Sequence, residues 1–161
     1  MHALRTIFDE MGFDLKTVRF PQAAALYALA RLYSLTARDL AAVYRRFGLT
    51  ITSFNLLMLL QHGKDRDTFT QQALSEKLVV TESDTTKVLD RLERRGLVRR
   101  LPGKDRRSHH LTITAKGAHV LDEVWPTHVE AMEGLSKAIH PGDAQVLANI
   151  LVRLRDVRNP Q

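Results

Sequence analysis

Apolar residues recur at helical spacing along most of the chain, and the interruptions predict where helices end. An early amphipathic stretch closed by Gly12 predicts a short helical arm. From Pro21 the pattern continues without a break to Phe47, which predicts one helix about 40 Å long that Gly48 ends. The next stretch, around Ser53 to His62, is apolar on nearly every side, and a helix of this kind is buried.

The last third of the chain carries two more apolar stretches. One follows Thr114, a residue suited to cap a helix, and contains Pro126, which should kink the helix because it removes a backbone hydrogen bond. The other follows the break at Pro141-Gly142-Asp143. The stripes at both ends of the chain are too apolar to remain exposed on a monomer, so we expect them to join two copies of the chain.

The stretch from Thr70 to Ile113 predicts a helix, a tight turn, a second helix and a hairpin. Thr70 can cap the first helix. Thr81 begins the second, and Asp84 follows at the spacing of a capping box, in which each side chain bonds the other residue's backbone N–H. Gly96 supplies the left-handed residue that ends this helix.

Two short β-like runs follow the second helix. They are Leu97 to Leu101 and His109 to Ile113, and the Pro102-Gly103 pair between them marks a hairpin, to which Thr68-Phe69 could add a minimal strand. This order of elements describes a winged helix-turn-helix, whose second helix enters the DNA major groove.

We therefore predict a mainly α fold with a small β-wing. The expected division is an N-terminal arm with a long dimerisation helix (residues 1–50), a winged helix-turn-helix domain (51–117) and C-terminal dimerisation helices (118–161).

The positive charge is concentrated in this middle region. The chain has 24 Lys and Arg against 18 Asp and Glu, a net charge of +6. Residues 87–107 contain nine basic and three acidic residues, again +6, so the remainder balances at 15 against 15. Such a distribution is typical of a surface that neutralises phosphates.

Three motifs resemble the MarR-type (multiple antibiotic resistance regulator) transcription factors. They are V-L-D-R-L-E-R-R-G-L-V at Val88 to Val98, D-R-R-S at Asp105 to Ser108, and L-T-I-T-A-K-G at Leu111 to Gly117. With its flanking helices, the resemblance covers roughly Pro21 to Val157. It implies a homodimer with interlocked terminal helices that binds a pseudo-palindromic operator, acting mostly as a repressor that a small molecule releases.

The candidate DNA contacts on the second helix are polar or basic. They are Thr81, Ser83, Thr85, Thr86, Lys87 and Arg91. Thr85 is included although it stands one turn before the apolar positions Val88 and Leu89. The alternative interpretation is an ordinary solvated, charged helix face.

The hairpin loop supplies a second group of candidates. Asp105 can hold Arg107 in a fixed direction through a charge-assisted bond, so that the guanidinium enters the minor groove, and this matches the D-x-R element of the MarR-type wing. Lys104 and Arg106 are expected to contact phosphates. The alternative is a flexible polar loop.

One side of the helix around Ser53 to His62 is a candidate effector pocket. It comprises Phe54, Asn55, Met58 and His62. MarR-type proteins bind small, often phenolic or carboxylate effectors in a crevice beside the corresponding helix, so the resemblance implies a small aromatic or carboxylate ligand here. Ordinary packing in the core and at its rim is the alternative.

The sequence contains no motif for a metal site, an enzyme or a membrane protein. With no cysteine, disulfides, thiolate metal sites and thiol-based sensing are excluded. No histidine cluster has metal-ligand spacing, and no catalytic triad or phosphate-binding glycine loop is present, so we expect neither a metal, a cofactor nor an enzyme. The chain has no signal peptide and no bilayer-length apolar run, from which we expect a cytoplasmic protein without a membrane partner.

Two further interpretations stay open. The winged domain could bind another protein, although the concentrated charge favours double-stranded DNA. The chain could also bind DNA without responding to any ligand.

Overall fold

The computed structural model describes residues 2–14, 21–64, 69–78, 81–102 and 109–158. Its elements, in chain order, are α1 (His2–Glu10), α2 (Pro21–Arg45), α3 (Ile51–His62), α4 (Gln71–Leu78), α5 (Glu82–Arg94), β1 (Val98–Pro102), β2 (His109–Ile113), α6 (Ala115–Lys137) and α7 (Pro141–Arg158). The predicted mainly α fold with a small β-wing is confirmed. The chain forms two compact units, residues 1–124 and 125–161.

Threonine caps begin the two helices of the helix-turn-helix. The Thr70 hydroxyl accepts the Ala73 N–H at 3.2 Å, as predicted for α4. At α5 the Thr81 hydroxyl accepts the Asp84 N–H at 3.1 Å and donates to the Asp84 carboxylate at 2.7 Å. The carboxylate thus binds the capping hydroxyl itself, a contact that the capping-box pattern did not predict.

Glycines with positive φ end two helices where the sequence predicted it. Gly48 follows α2 with φ of 68°, and Gly96 follows α5 with φ of 69°. This left-handed conformation favours glycine because it has no Cβ. The turn after α5 is closed by the Leu97 N–H, which donates to the Leu92 carbonyl at 2.9 Å.

The two strands form an antiparallel hairpin, with Val98 opposite Ile113 and Pro102 opposite His109. The Leu111 N–H also donates to the Phe69 carbonyl at 2.9 Å. Phe69 therefore adds one backbone bond at the edge of the wing sheet, where a minimal strand was predicted, while Thr68 lies outside the described residues.

The core of the first unit lies between α2, α3, α4, α5, the hairpin and the start of α6. Its buried apolar members include Leu56 and Leu57 of α3 and Leu89 and Leu92 of α5. Burial of α3 confirms the prediction from its apolar composition. Tyr44 stacks on Phe54 with ring centroids 4.4 Å apart, and burial raises the pKa of Tyr44 to about 12.

The first turn of α6 packs directly on the hairpin. The Thr114 hydroxyl accepts the Gly117 N–H at 3.0 Å and donates to the Gly96 carbonyl at 2.7 Å. A Cβ at Gly117 would lie 2.2 Å from the Leu97 carbonyl oxygen. This close approach explains why the L-T-I-T-A-K-G motif ends in glycine at this position.

The long helices carry large apolar side chains that are exposed. On α2 these are Leu26, Tyr27, Leu29, Leu32, Tyr33 and Leu35. On α7 they are Val146, Leu147, Ile150, Leu151, Val152, Leu154 and Val157. Every helix in the described part of the chain is too short or too polar to span a bilayer.

Candidate nucleic-acid interface

Helix α5 presents a polar and basic face to solvent. Ser83, Lys87, Arg91 and Arg94 are all exposed. They recur at three- and four-residue spacing, which places them along one side of the helix. Lys87 lies 3.7 Å from the Asp84 carboxylate, a solvated pair that leaves the ammonium accessible.

Thr86 lies beside this face and is held by the preceding helix. The Gln71 side-chain amide, in the first turn of α4, donates to the Thr86 hydroxyl at 2.7 Å. Both residues are partly exposed. Gln71 was not among the sequence-predicted contacts, because nothing in the local pattern links residues fifteen positions apart.

Thr85 does not belong to the exposed face, and its prediction as a DNA contact is wrong. Its side chain is fully buried. The Thr85 hydroxyl accepts a hydrogen bond from Ser75 at 2.9 Å and donates to the Thr81 carbonyl at 3.1 Å. The apolar stripe on which Thr85 stands faces α4, so its hydroxyl serves packing between the two helices.

Two arginines from the basic region bind protein groups. Arg95 donates to the Phe47 carbonyl at 3.0 Å and also to the Gly48 carbonyl, both in the turn that follows α2. Arg100, on β1, donates to the Asp90 carboxylate at 2.8 Å and to the Glu93 carboxylate. The charge count over residues 87–107 therefore overstates the number of cations that face solvent.

Of the remaining charged residues of the wing, some lie in the part of the chain that the structure describes and others do not. Arg99 is exposed on β1. The predicted contacts Lys104, Asp105, Arg106 and Arg107 lie outside the described residues. Their roles, including the bond between Asp105 and Arg107, stay predictions from the sequence.

The predicted effector pocket corresponds in part to a cleft of about 470 Å³ in the first unit. It is lined by Asn55, Met58, Leu59, His62, Gly63, Lys77 and Leu78. Three of the four predicted residues are thus brought together. Phe54 is the exception: it is buried in the core against Tyr44 and does not line this cleft.

Sequence reasoning missed the contribution of α4 to the cleft. Lys77 places a cation in the lining, with its Nζ 5.6 Å from the centroid of the Phe69 ring. An amide, an imidazole and an ammonium group among apolar side chains could bind a small anion that also carries an apolar body. Over the described residues, no group of three or more metal-binding side chains is present.

Both a family model and a known protein are similar to this chain in sequence. A family model described as MarR family matches residues 47–108. The chain is 26% identical over 127 residues to the HTH-type transcriptional regulator MhqR of Bacillus subtilis (strain 168), covering 78% of this chain and 86% of MhqR.

Solved structures share the fold. Sco3205, a MarR family transcriptional regulator from Streptomyces coelicolor in complex with DNA, gives a TM-score of 0.78 at 23% identity, covering 85% of this chain and 87% of that one. CouR from Rhodococcus jostii RHA1, bound to p-coumaroyl-CoA, gives a TM-score of 0.72 at 20% identity, covering 89% of this chain and 98% of that one.

Proposed function

Because this chain belongs to the MarR family, we propose that it is a transcriptional regulator that binds specific DNA sequences. The observation that carries this proposal is the exposed polar and basic face of α5, together with Arg99, which is exposed on the hairpin. A second helix with this chemistry fits the major groove, where Ser83, Lys87 and Arg91 can reach phosphates and base edges. Sco3205, which shares the fold, has been crystallised with DNA.

We propose that the regulator acts as a homodimer. Helix α2 carries six large apolar side chains that are exposed and helix α7 carries seven, and exposed apolar patches of this kind mark interaction surfaces. Pairing two chains through these helices would bury them. Two-fold symmetry would then bring two copies of α5 to successive major grooves of a pseudo-palindromic site.

We propose, further, that the regulator is a repressor that a small molecule releases. The cleft beside His62 and Lys77 suits a small aromatic carboxylate, and CouR is a relative by fold with a bound acyl-CoA. Release requires the ligand to bind more tightly to the conformation that does not fit DNA. Since the target is chromosomal DNA, the place of action would be the cytoplasm in a bacterium.

Selection from the native genome tests DNA recognition. The full chain is incubated with sheared genomic DNA, and the bound fragments are sequenced and footprinted. We expect enrichment of a few fragments whose protected half-sites are about one helical turn, roughly 10 bp, apart. Uniform recovery of all fragments would contradict sequence-specific recognition.

A panel of aromatic carboxylates and their matched alcohols tests the effector cleft. We expect at least one carboxylate to lower the affinity for the selected fragment, and Lys77→Met to weaken that response about tenfold by removing a charge-assisted contact. Lys64→Met is the control, because Lys64 does not line the cleft. Equal responses in both variants would remove the cleft from the proposal.

A further inference from the structure

The helix proposed to enter the DNA groove is not itself positively charged. Over Glu82–Arg94 it contains three basic residues, Lys87, Arg91 and Arg94, and four acidic ones, Glu82, Asp84, Asp90 and Glu93, a net charge of −1. Carboxylates on this helix oppose the approach of a polyanion. Of the net charge of +6 over residues 87–107, the α5 residues 87–94 contribute only +1, and residues 95–107 contribute the other +5.

Arg100 supplies part of this positive charge at a fixed position. Its Nη2 lies 2.8 Å from the Asp90 Oδ1, and its Nη1 bonds the Glu93 carboxylate. Asp90 and Glu93 stand three residues apart and so share one side of α5. One guanidinium therefore bridges two carboxylates of the helix, and its planar fork suits this geometry better than a lysine would.

The strand places Arg100 where this bridge can form. Side chains alternate along β1, so Arg100 lies on the same face as the buried Val98 and points towards the domain, whereas Arg99 is exposed on the opposite face. The Arg100 side chain is only 31% exposed. Within the described residues, each partner of Arg100 belongs to α5.

We propose that Arg100 is a positioning residue for DNA binding, which acts through Asp90 and Glu93 and not by contacting phosphate. The bridge ties the base of the hairpin to α5, so that wing and helix present one surface to the duplex. It also offsets two carboxylates that would otherwise repel the DNA backbone. This inference rests on the proposed DNA-binding function.

A double-mutant cycle separates the two roles of Arg100. Arg100→Met is made in the wild-type chain and in an Asp90→Asn/Glu93→Gln background, and affinity is measured for the fragment selected by the wild-type chain. If Arg100 acts through the carboxylates, its removal lowers the affinity for DNA about tenfold in the wild-type chain and less than twofold in the neutralised background. An equal reduction in both backgrounds would show a direct DNA contact and overturn the proposal.

Arg99→Met is the matched control, since this neighbouring arginine is exposed and forms no salt bridge with a carboxylate of the described residues. Arg99→Met should lower the affinity for DNA by the same factor in both backgrounds. Should Arg100→Met fail to fold, as judged by circular dichroism, Arg100→Lys replaces it. A lysine keeps the positive charge but lacks the planar fork, so Arg100→Lys should again weaken binding more in the wild-type chain than in the neutralised background, and an equal loss of affinity in both would overturn the proposal.

The failure of this inference is distinguishable from failure of the proposed function. If the wild-type chain binds no DNA, the function itself is wrong, and the inference falls with it. If the wild-type chain binds but the cycle shows no coupling, only the role of Arg100 is wrong.

Discussion

Gly117 lies where the first turn of α6 passes the hairpin, and nothing larger fits there. An added Cβ would lie 2.2 Å from the Leu97 carbonyl oxygen and 2.8 Å from the Ile113 side chain. Because the nearest obstacle is backbone, the helix would have to move. The position is thus fixed by contact between two elements, and the glycine sets how closely α6 approaches the wing.

Gly117→Ala should therefore destabilise the protein by about 2 kcal/mol or more, since overpacking a close contact displaces backbone. Gly134→Ala, in the same helix, is the control, because its added Cβ meets nothing within 4 Å outside the local helix backbone. This control should be stabilised by up to about 1 kcal/mol through helix propensity. Urea denaturation gives both values, and equal stabilities would contradict the close approach at Gly117.

Thr85 shows that a side chain with the right chemistry can serve the fold alone. Its hydroxyl is buried between Ser75 and the Thr81 carbonyl. The apolar periodicity of α5 already indicated a buried position, but a polar side chain on a DNA-binding helix was also consistent with groove contact. Only the packing of α4 against α5 decides between these roles.

Thr85→Val should lower the free energy of unfolding by about 1–2 kcal/mol, because it leaves buried hydrogen-bonding groups without their partner. The affinity of the folded protein for DNA should stay within twofold. Ser83→Ala should have the opposite profile, with stability changed by less than about 0.5 kcal/mol and affinity reduced. A large drop in affinity for Thr85→Val with unchanged stability would return Thr85 to the DNA-binding face.

At the scale of elements, local signals predicted the helices well. The threonine caps and the positive-φ glycines at 48 and 96 are short-range features, so the starts of α4 and α5 and the ends of α2 and α5 could be read from the sequence. Contacts between distant elements could not be read. Arg95 donates to the carbonyls of Phe47 and Gly48, which are distant from it in the sequence. Lys77 likewise lines a cleft formed mainly by α3.

The apolar side of α7 carries a prediction about assembly. Leu151→Glu/Leu154→Glu should produce monomers, because charged side chains cannot be buried between two chains without partners. Arg153→Glu changes charge on the same helix without removing an apolar side chain, and should remain dimeric. Sedimentation velocity measures both, and a dimeric double variant would remove α7 from the proposed interface.

At the scale of the whole molecule, net charge alone does not describe the binding surface. Arg95 and Arg100 contribute to the charge of residues 87–107 but bind carbonyls and carboxylates of the protein. Among the described residues of this region, the exposed cations of α5 and Arg99 are available to phosphates. The position of the basic residues along the chain is read directly from the sequence, whereas the protein groups that bind two of them depend on the fold.

The salt dependence of DNA binding tests this account most directly. Affinity of the full chain for its selected fragment is measured across a range of salt concentrations, beside Arg91→Met and, as a control on α6, Lys137→Met. We expect log K to fall with log salt with a slope of about −4 or steeper, and Arg91→Met to reduce that steepness by about 1 if Arg91 binds one phosphate. Lys137→Met should leave the slope unchanged. An affinity that does not vary with salt would contradict the proposal that α5 and the wing neutralise phosphates.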